Sequence, residues 1–416
     1  MRLGRKTADL TPVLVLKTRR YDLHHGCLGI VRSLGSMGVP VYIINETRRP
    51  PVAASRYVAG CFLWDTDQRS SQQLLEGLER IARLLNRPAV IIPTDDLGAV
   101  LIAENAAALR PWFLFPTIPI GLPRLLAEKK RLYALGSDMG IVCPRWVTPR
   151  SLCDVEAFAS DATFPVFLKS SAGWLPSASK TMIVHSRGEL ADAYCRASIQ
   201  EPENLILQEN IPSGEDWFFH GYCNSKSECL VSFTGRKRRS YPPRAGFTTL
   251  GVAVANDDLR EQNQALLKTL CYSGIMDIDY RLDRRDGRYK ILDFNPRIGA
   301  QFRLFENRDG IDVVRALYLD LAGEPLASAP QTDGRVFVVE PFEILSGLRS
   351  WWRRELSFGE WRVSLRGPKE FAWFQWQDLM PCLLMWEVIA RRGLVKLLRS
   401  GRRRFAAFWG VRKPIM

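Results

Sequence analysis

Histidine is scarce: four in 416 residues, with no H-x-x-x-H pair, which argues against a zinc hydrolase. The nine cysteines stand singly and form no C-x-x-C pair, so they read as reduced cytosolic thiols rather than a disulfide frame or a zinc site. No run approaches the ~20 apolar residues needed to cross a bilayer. The opening MRLGRKTADLTPVLVLK is basic, but its apolar run is too short for the central region of a signal peptide. Neither G-x-G-x-x-G nor G-x-x-x-x-G-K-[ST] occurs, so there is no dinucleotide fingerprint and no Walker loop. A convincing Ser-His-Asp or Cys-His set is also missing, which leaves little room for side-chain nucleophilic catalysis.

What is present describes a folded protein. Apolar residues make up 46% and charged residues 25%, and the length exceeds one ordinary domain. The net charge of +14 is unevenly placed. From residue 341 onward 15 Lys and Arg face 6 Asp and Glu, a local +9, and 7 of the 12 tryptophans lie there. The rest is only mildly basic, so charge gives no reason to expect a specific nucleic-acid partner.

The opening alternates strand and helix. PVLVLK, VPVYIINE and PAVIIPTDD read as buried strands, with GCLGIVRSLGSMG and SQQLLEGLERIARLLNR as helices between them. That order predicts a parallel α/β sheet over residues 1–120, with ligands at the strands' carboxyl ends. His24, His25, Gly26, Asp95 and Asp96 fall at such ends, where turn and cap roles are the ordinary ones. A boundary follows near Gly140 and Pro144. Beyond it FPVFLKSSAGWLPSASKTMIVHS, NLILQENIPSGEDWFFHGYCN, ECLVSFTGRKRRSYPP and GIMDIDYRLDRRDGRYKILDFN read as strands and hairpins of antiparallel sheet. The expected class is therefore α/β followed by α+β. The second unit spans 121–330, with parts at about 145–210 and about 211–330. A basic, Trp-rich helical extension covers 331–416.

The chemistry concentrates in the last hairpin. Pairing across the turn LDRRDGR can bring Asp279 and Asp293 side by side, and two acids placed together repel unless a cation lies between them. Mg²⁺ suits such a pair, because it commonly takes one or two carboxylates together with substrate phosphates. Asn295 offers a carbonyl oxygen to the same ion, and the planar fork of Arg297 suits an anion. Lys169 leaves the end of a buried strand beside a loop of small residues, and Lys129 lies on an amphipathic helix. In LILQENIPSGED, Gln208 and Glu209 end a strand before a Pro-Gly bend and Glu215. Backbone there can read a base edge, and a carboxylate can hold ribose hydroxyls. Lys237, Arg239 and Arg244 form a basic cluster suited to stabilising an anion that gains charge.

A strand-end lysine, an E-x-I-x-x-G-E hinge, D-x-D and D-x-N-P-R, in that order, resemble the ATP-grasp superfamily. The likeness is to its carboxylate–amine ligase branch, which includes biotin carboxylase and D-aspartate ligase, and it covers roughly residues 10–325. The resemblance implies ATP and Mg²⁺ as cofactors, with Mn²⁺ an alternative ion. It implies Asp279, Asp293 and Asn295 as metal ligands and Lys129 and Lys169 as phosphate contacts. Gln208, Glu209, Asn210, Ile211 and Glu215 would bind adenine and ribose, the cluster of Lys237, Arg239 and Arg244 would face the carboxylate and the transferred phosphoryl group, and Lys237, Arg239 and Arg297 are the expected catalytic residues. Two departures stand out: many relatives carry Glu at both acidic positions, and the loop after Lys169 is poor in glycine. The implied activity is amide formation from a small carboxylate and an amine, with carboxylation or a non-catalytic nucleotide-binding role as rivals.

The extension adds a second expectation. Trp386, Leu394, Leu397, Leu398, Phe405 and Trp409 can form an apolar helical face beside Arg391, Arg392 and Arg402 to Arg404. That pattern suits peripheral contact with the anionic inner face of a membrane, and packing on the body is its alternative.

Overall fold

Val13–Leu16 (β1) is buried on both sides, as a central parallel strand must be. Val41–Asn45 (β2), Val58–Leu63 (β3), Ala89–Pro93 (β4) and Phe113–Leu114 (β5) join it in the order β3-β2-β1-β4-β5, every pair parallel. The computed structural model describes residues 10–393, apart from 22, 48, 174–180, 202, 213 and 243–245. Three of these five strands are legible in the sequence. β3 hides because it is an edge strand with one face half exposed, and β5 because it has two residues. The helix Ser71–Leu85 opens on a capping box between Ser70 and Gln73 and ends where Asn86 turns left-handed at φ 53°.

Trp146–Val147 (β6), Val166–Ser170 (β7), Met182–Val184 (β8) and Leu205–Glu209 (β9) form a small antiparallel sheet in the order β6-β9-β7-β8. Helices Leu152–Ser160 and Arg187–Ser198 cover it, and Val155, Phe158, Leu168 and Leu190 give it a core of its own. A layer with a separate core can move as a unit.

The largest sheet contains Glu215–Cys223 (β10), Cys229–Tyr241 (β11), Phe247–Ala253 (β12), Gly274–Asp283 (β13), Arg288–Asn295 (β14), Val336–Val338 (β15) and Lys369–Phe371 (β16). Their order is β14-β13-β10-β11-β12-β15-β16. One continuous core joins the helix His25–Gly35 to β10, β11 and the helix Val313–Leu321, so the parallel domain is packed firmly on this sheet.

Residues 331–393 form the expected extension, and they pack on the body. They are largely helical, but β15 and β16 extend the central sheet, and Trp373 and Met385 are buried in the main core. Asp378 makes the deepest tie. Its carboxylate accepts from Arg32 Nε (2.9 Å), Ser55 Oγ (2.7 Å) and the Arg56 amide (2.9 Å), and Arg32 also donates to the Trp373 carbonyl (2.7 Å). Both charged side chains are buried, at 3% and 2% exposure.

Removing one partner of a buried, hydrogen-bonded pair strands the other charge, at a cost of about 3–5 kcal/mol. Asp378→Ala should therefore lower the unfolding free energy by about that much, as measured by urea denaturation. A loss under about 1 kcal/mol would show that this contact does not anchor the C-terminal region.

Candidate active site

Strand register builds the site. Asp279 on β13 lies directly opposite Asp293 on β14, and Asp277 lies opposite Asn295. Paired residues share a face, so the alternation carries Asp277 and Asp279 to one side of the sheet. A one-residue bulge at Leu292 follows, and the freed carbonyl of Leu292 lies 2.9 Å from the Tyr133 hydroxyl on the helix Lys129–Met139. Across β10 the same face carries Asp216, opposite both Arg281 and Lys237. Asp216, Asp279, Arg281 and Asp293 floor an open cleft of about 900 Å³ between the largest sheet and the small one.

Three lysines from three elements enter this cleft. Lys129, the first residue of its helix, donates to Asp293 Oδ1 at 2.8 Å. Lys237 on β11 approaches Asp279 Oδ1 at 3.3 Å. Lys169 on β7 finds an amide instead, donating to Gln208 Oε1 at 2.9 Å. Their charge states diverge accordingly. Burial, with Lys129 close by, lowers the Lys169 pKa to about 7. Burial also opposes the charge on Lys237, yet Asp279 and Asp216 outweigh it and raise the pKa above the ordinary lysine value. Burial, reinforced by Asp277 and Asp293, raises the Asp279 carboxyl despite Lys237. The result is a crowded acidic pair held by cations, a suitable surface for a polyanion with a divalent metal.

The donor chemistry fits a hard cation at Asp279 and Asp293, which lie directly opposite on adjacent strands. Among the described residues no group of three or more His, Cys, Asp or Glu side chains forms a preassembled metal cage. That suits Mg²⁺, which draws part of its coordination from phosphates and water. Asn295 is placed differently: its Oδ1 accepts from Arg297 (2.8 Å) and its Nδ2 donates to the Asp277 carbonyl (3.1 Å).

The other candidates divide. Gln208, Asn210 and Ile211 line the cleft. Glu209 turns to Arg285 (2.9 Å) and to the Arg145 amide (2.9 Å), outside the cleft lining. Glu215 pairs with Arg236 (2.8 Å) and Arg284 (3.1 Å) on the opposite face of β10 from Asp216. Arg297 bridges to Asp96 of the parallel domain (3.2 Å) as well as to Asn295. Asp95 is the cap that its position suggested, accepting from Gly98 N (2.8 Å) and Thr18 Oγ1 (2.6 Å).

Arg239 departs furthest from its expected place beside Lys237. Two-residue spacing on an unbroken strand would put both on one face. A bulge at Arg238 inverts the alternation, so Lys237 pairs with Gly251 and Arg239 with Leu250. The guanidinium of Arg239 then reaches Glu343 (2.7 Å) and Ser364 (2.8 Å) instead. Arg244 and the loop 174–180 lie outside the described residues. Asp216 and Tyr133 escaped sequence reasoning. Asp216 sits beside the more conspicuous Glu215, and only its pairing with Arg281 and Lys237 tells which of the two faces the cleft.

No protein-family model matches the chain. D-aspartate ligase of Enterococcus faecium (strain Aus0004) is 23% identical over 240 residues, which are 54% of this chain and 57% of that protein. The chain thus matches little more than half of that relative's length. Among solved structures it resembles L-amino acid ligase from Bacillus licheniformis, with TM-score 0.58, 15% identity and 79% of each chain covered. It also resembles the biotin carboxylase domain of Hydrogenobacter thermophilus 2-oxoglutarate carboxylase, determined with MgADP and bicarbonate. There the TM-score is 0.56 at 17% identity, covering 77% of this chain and 71% of that one. N5-carboxyaminoimidazole ribonucleotide synthetase from Thermotoga maritima gives 0.55 at 13% identity, over 77% and 78%. At these identities the likeness is one of fold, and the fold is ATP-grasp.

Lys169 supplies a pH test. Between about 7 and the ordinary 10.5 the unfolded chain holds this proton and the folded chain does not, so the group makes the ligand-free protein more stable as pH rises. A polyphosphate in the cleft should restore the charge. Titrating MgATP calorimetrically at pH ~8, in buffers of different ionisation enthalpy, should show uptake of about one proton beyond that of Lys169→Met. Equal proton uptake by both proteins would remove Lys169 from phosphate contact.

Proposed function

We propose that this chain is an ATP- and Mg²⁺-dependent carboxylate–amine ligase. The observation that carries the reading is the direct opposition of Asp279 and Asp293 beneath a cleft entered by Lys129, Lys169 and Lys237. The γ-phosphoryl group of ATP would pass to a substrate carboxylate, giving ADP and an acyl phosphate. The amine nitrogen would then attack the acyl carbon and release phosphate as the amide bond forms. The ATP-grasp fold and the named ligases of similar fold support this chemistry.

The chain's own groups would work by placement and charge. Gln208, Asn210 and Ile211 sit where the edge of the base can be read, and Gln208 also fixes Lys169. Lys129 and Lys169 would take the phosphates. Lys237, held charged by Asp279 and Asp216, would face the oxygens that gain charge as the acyl phosphate forms. Mg²⁺, or Mn²⁺ in its place, would be held by Asp279 and Asp293 and supplies neutralisation of phosphate charge when bound. The reading extends to place. Nine cysteines, none in a disulfide, suit a reducing cytoplasm, and residues 341–416 suit peripheral contact with the inner face of a membrane.

An ADP-release screen over amino acids and small carboxylates, each pair run against its single components, tests the chemistry. Turnover requiring both a carboxylate and an amine supports the ligase reading, whereas turnover requiring bicarbonate overturns it in favour of carboxylation. With the active pair in hand, Asp279→Asn and Asp293→Asn should each lower kcat on the order of 100-fold or more. Near-wild-type turnover of either variant at low Mg²⁺ would remove that acid from the metal site.

A further inference from the structure

Surface helices bury their apolar side and show water their polar one. The helix Glu340–Trp352 does the reverse. Past Pro341 and Phe342 at its start, Glu343, Ser346 and Gly347 lie inward. Glu343 accepts from Arg239 (2.7 Å), Thr249 Oγ1 (2.8 Å) and Trp361 Nε1 (3.0 Å), and Ser346 Oγ donates to the Ser240 carbonyl (3.1 Å). At Gly347 a Cβ would come within 2.5 Å of the Trp361 ring, so glycine there lets the next helix, Phe358–Ser364, pack close. Outward, at i, i+1, i+4, i+7 and i+8, stand Ile344, Leu345, Leu348, Trp351 and Trp352, from 43% to 85% exposed. Five large apolar side chains on one arc are a surface that expects cover.

The charge around the stripe indicates what covers it. Arg349, Arg353 and Arg354 edge and follow the stripe, and Arg362 and Arg366 extend the basic fringe onto and just beyond the next helix, five arginines against the two acids Glu355 and Glu360. Among the described residues none of these five pairs with a carboxylate. A second copy of the chain, meeting this face about a twofold axis, would set arginine against arginine. An anionic bilayer instead meets each part with its own layer. Leucine and isoleucine enter the acyl boundary, tryptophan settles at headgroup depth, and arginine finds lipid phosphate.

We infer that the outward face of the helix Glu340–Trp352, with its arginine fringe, docks this protein on an anionic lipid surface. The inference rests on the peripheral contact proposed above and not on the ligase chemistry, and it assigns that contact to residues 344–366 rather than to the basic stretch beyond 393. It also orients the molecule. The inward side of the same helix, through Ser346 and Ser350, lines a broad cleft of about 1310 Å³. That cleft shares Asp216, Lys237, Ser240 and Arg281 with the catalytic one, so a docked molecule would hold its outer cleft beside the membrane.

Co-sedimentation of the full chain with vesicles tests it, using phosphatidylcholine alone and phosphatidylcholine with about one-third phosphatidylglycerol. The wild type should bind the anionic vesicles in low salt, release in high salt and ignore the zwitterionic ones. Leu348→Glu and Trp352→Glu should each lower partitioning more than 10-fold with far-UV circular dichroism and melting temperature unchanged. Trp352→Ser, at the most exposed position, reads lost apolar area with the least risk to the fold. Absence of wild-type binding would overturn the inference, as would variants that bind like the wild type. It falls equally if ultracentrifugation shows wild-type self-association that the same substitutions abolish, since the face would then join two copies. Vesicle binding is read without turnover, so either outcome leaves the ligase proposal to its own test.

Discussion

Two carboxylates facing each other across β13 and β14 are the constraint around which the cleft is arranged. Asp279 and Asp293 repel each other in this partly buried place unless positive charge comes between them. The chain brings it from distant positions: Lys129 from the start of a helix and Lys237 from β11, with Lys169 of β7 nearby. The position of Lys129 also links two layers. Its amide donates to the Ser171 carbonyl at 3.0 Å and the neighbouring Lys130 amide to Ser171 Oγ at 3.0 Å, so the small sheet is tied at the edge of the cleft it covers. An electrostatic need at one hairpin thus sets where three separate elements meet.

Lys169 is the exception that gives the cleft an adjustable charge. It lies beside Lys129 and hydrogen-bonds an amide rather than a carboxylate, so its charge is expensive until an anion arrives. Gln208 is held in turn, with its Oε1 3.1 Å from the hydroxyl of Tyr133, which lies 2.9 Å from the Leu292 carbonyl beside Asp293. Gln208 and the acidic pair are therefore joined through a short polar chain.

The C-terminal region serves both core and surface. Through β15, β16, Trp373 and the Arg32–Asp378 pair it closes the sheet and clasps the parallel domain. Through Glu343 it takes Arg239 away from the cleft and turns its own helix inside out. The two effects share a cause. A helix that turns Glu343 and Ser346 to buried hydrogen bonds leaves Ile344, Leu345, Leu348, Trp351 and Trp352 on its outer side, beside Arg349.

Much was legible in local pattern. Continuous apolar runs marked β1, β2 and β4 as parallel strands, and alternation about the turn LDRRDGR placed Asp279 and Asp293 on one hairpin. Motif order pointed to the ATP-grasp fold that the structural likenesses share. These features depend on neighbours in sequence, so sequence alone determined them. What tertiary structure decided were parity and partnership. The bulge at Arg238 sends Arg239 to the opposite face from Lys237, and pairing with Arg281 selects Asp216 over Glu215. Arg297 occupies the oxygen of Asn295, and burial of Glu343 inverts the helix Glu340–Trp352. Each depends on a strand register or a contact that no periodicity encodes, because a one-residue shift exchanges the two faces of a strand.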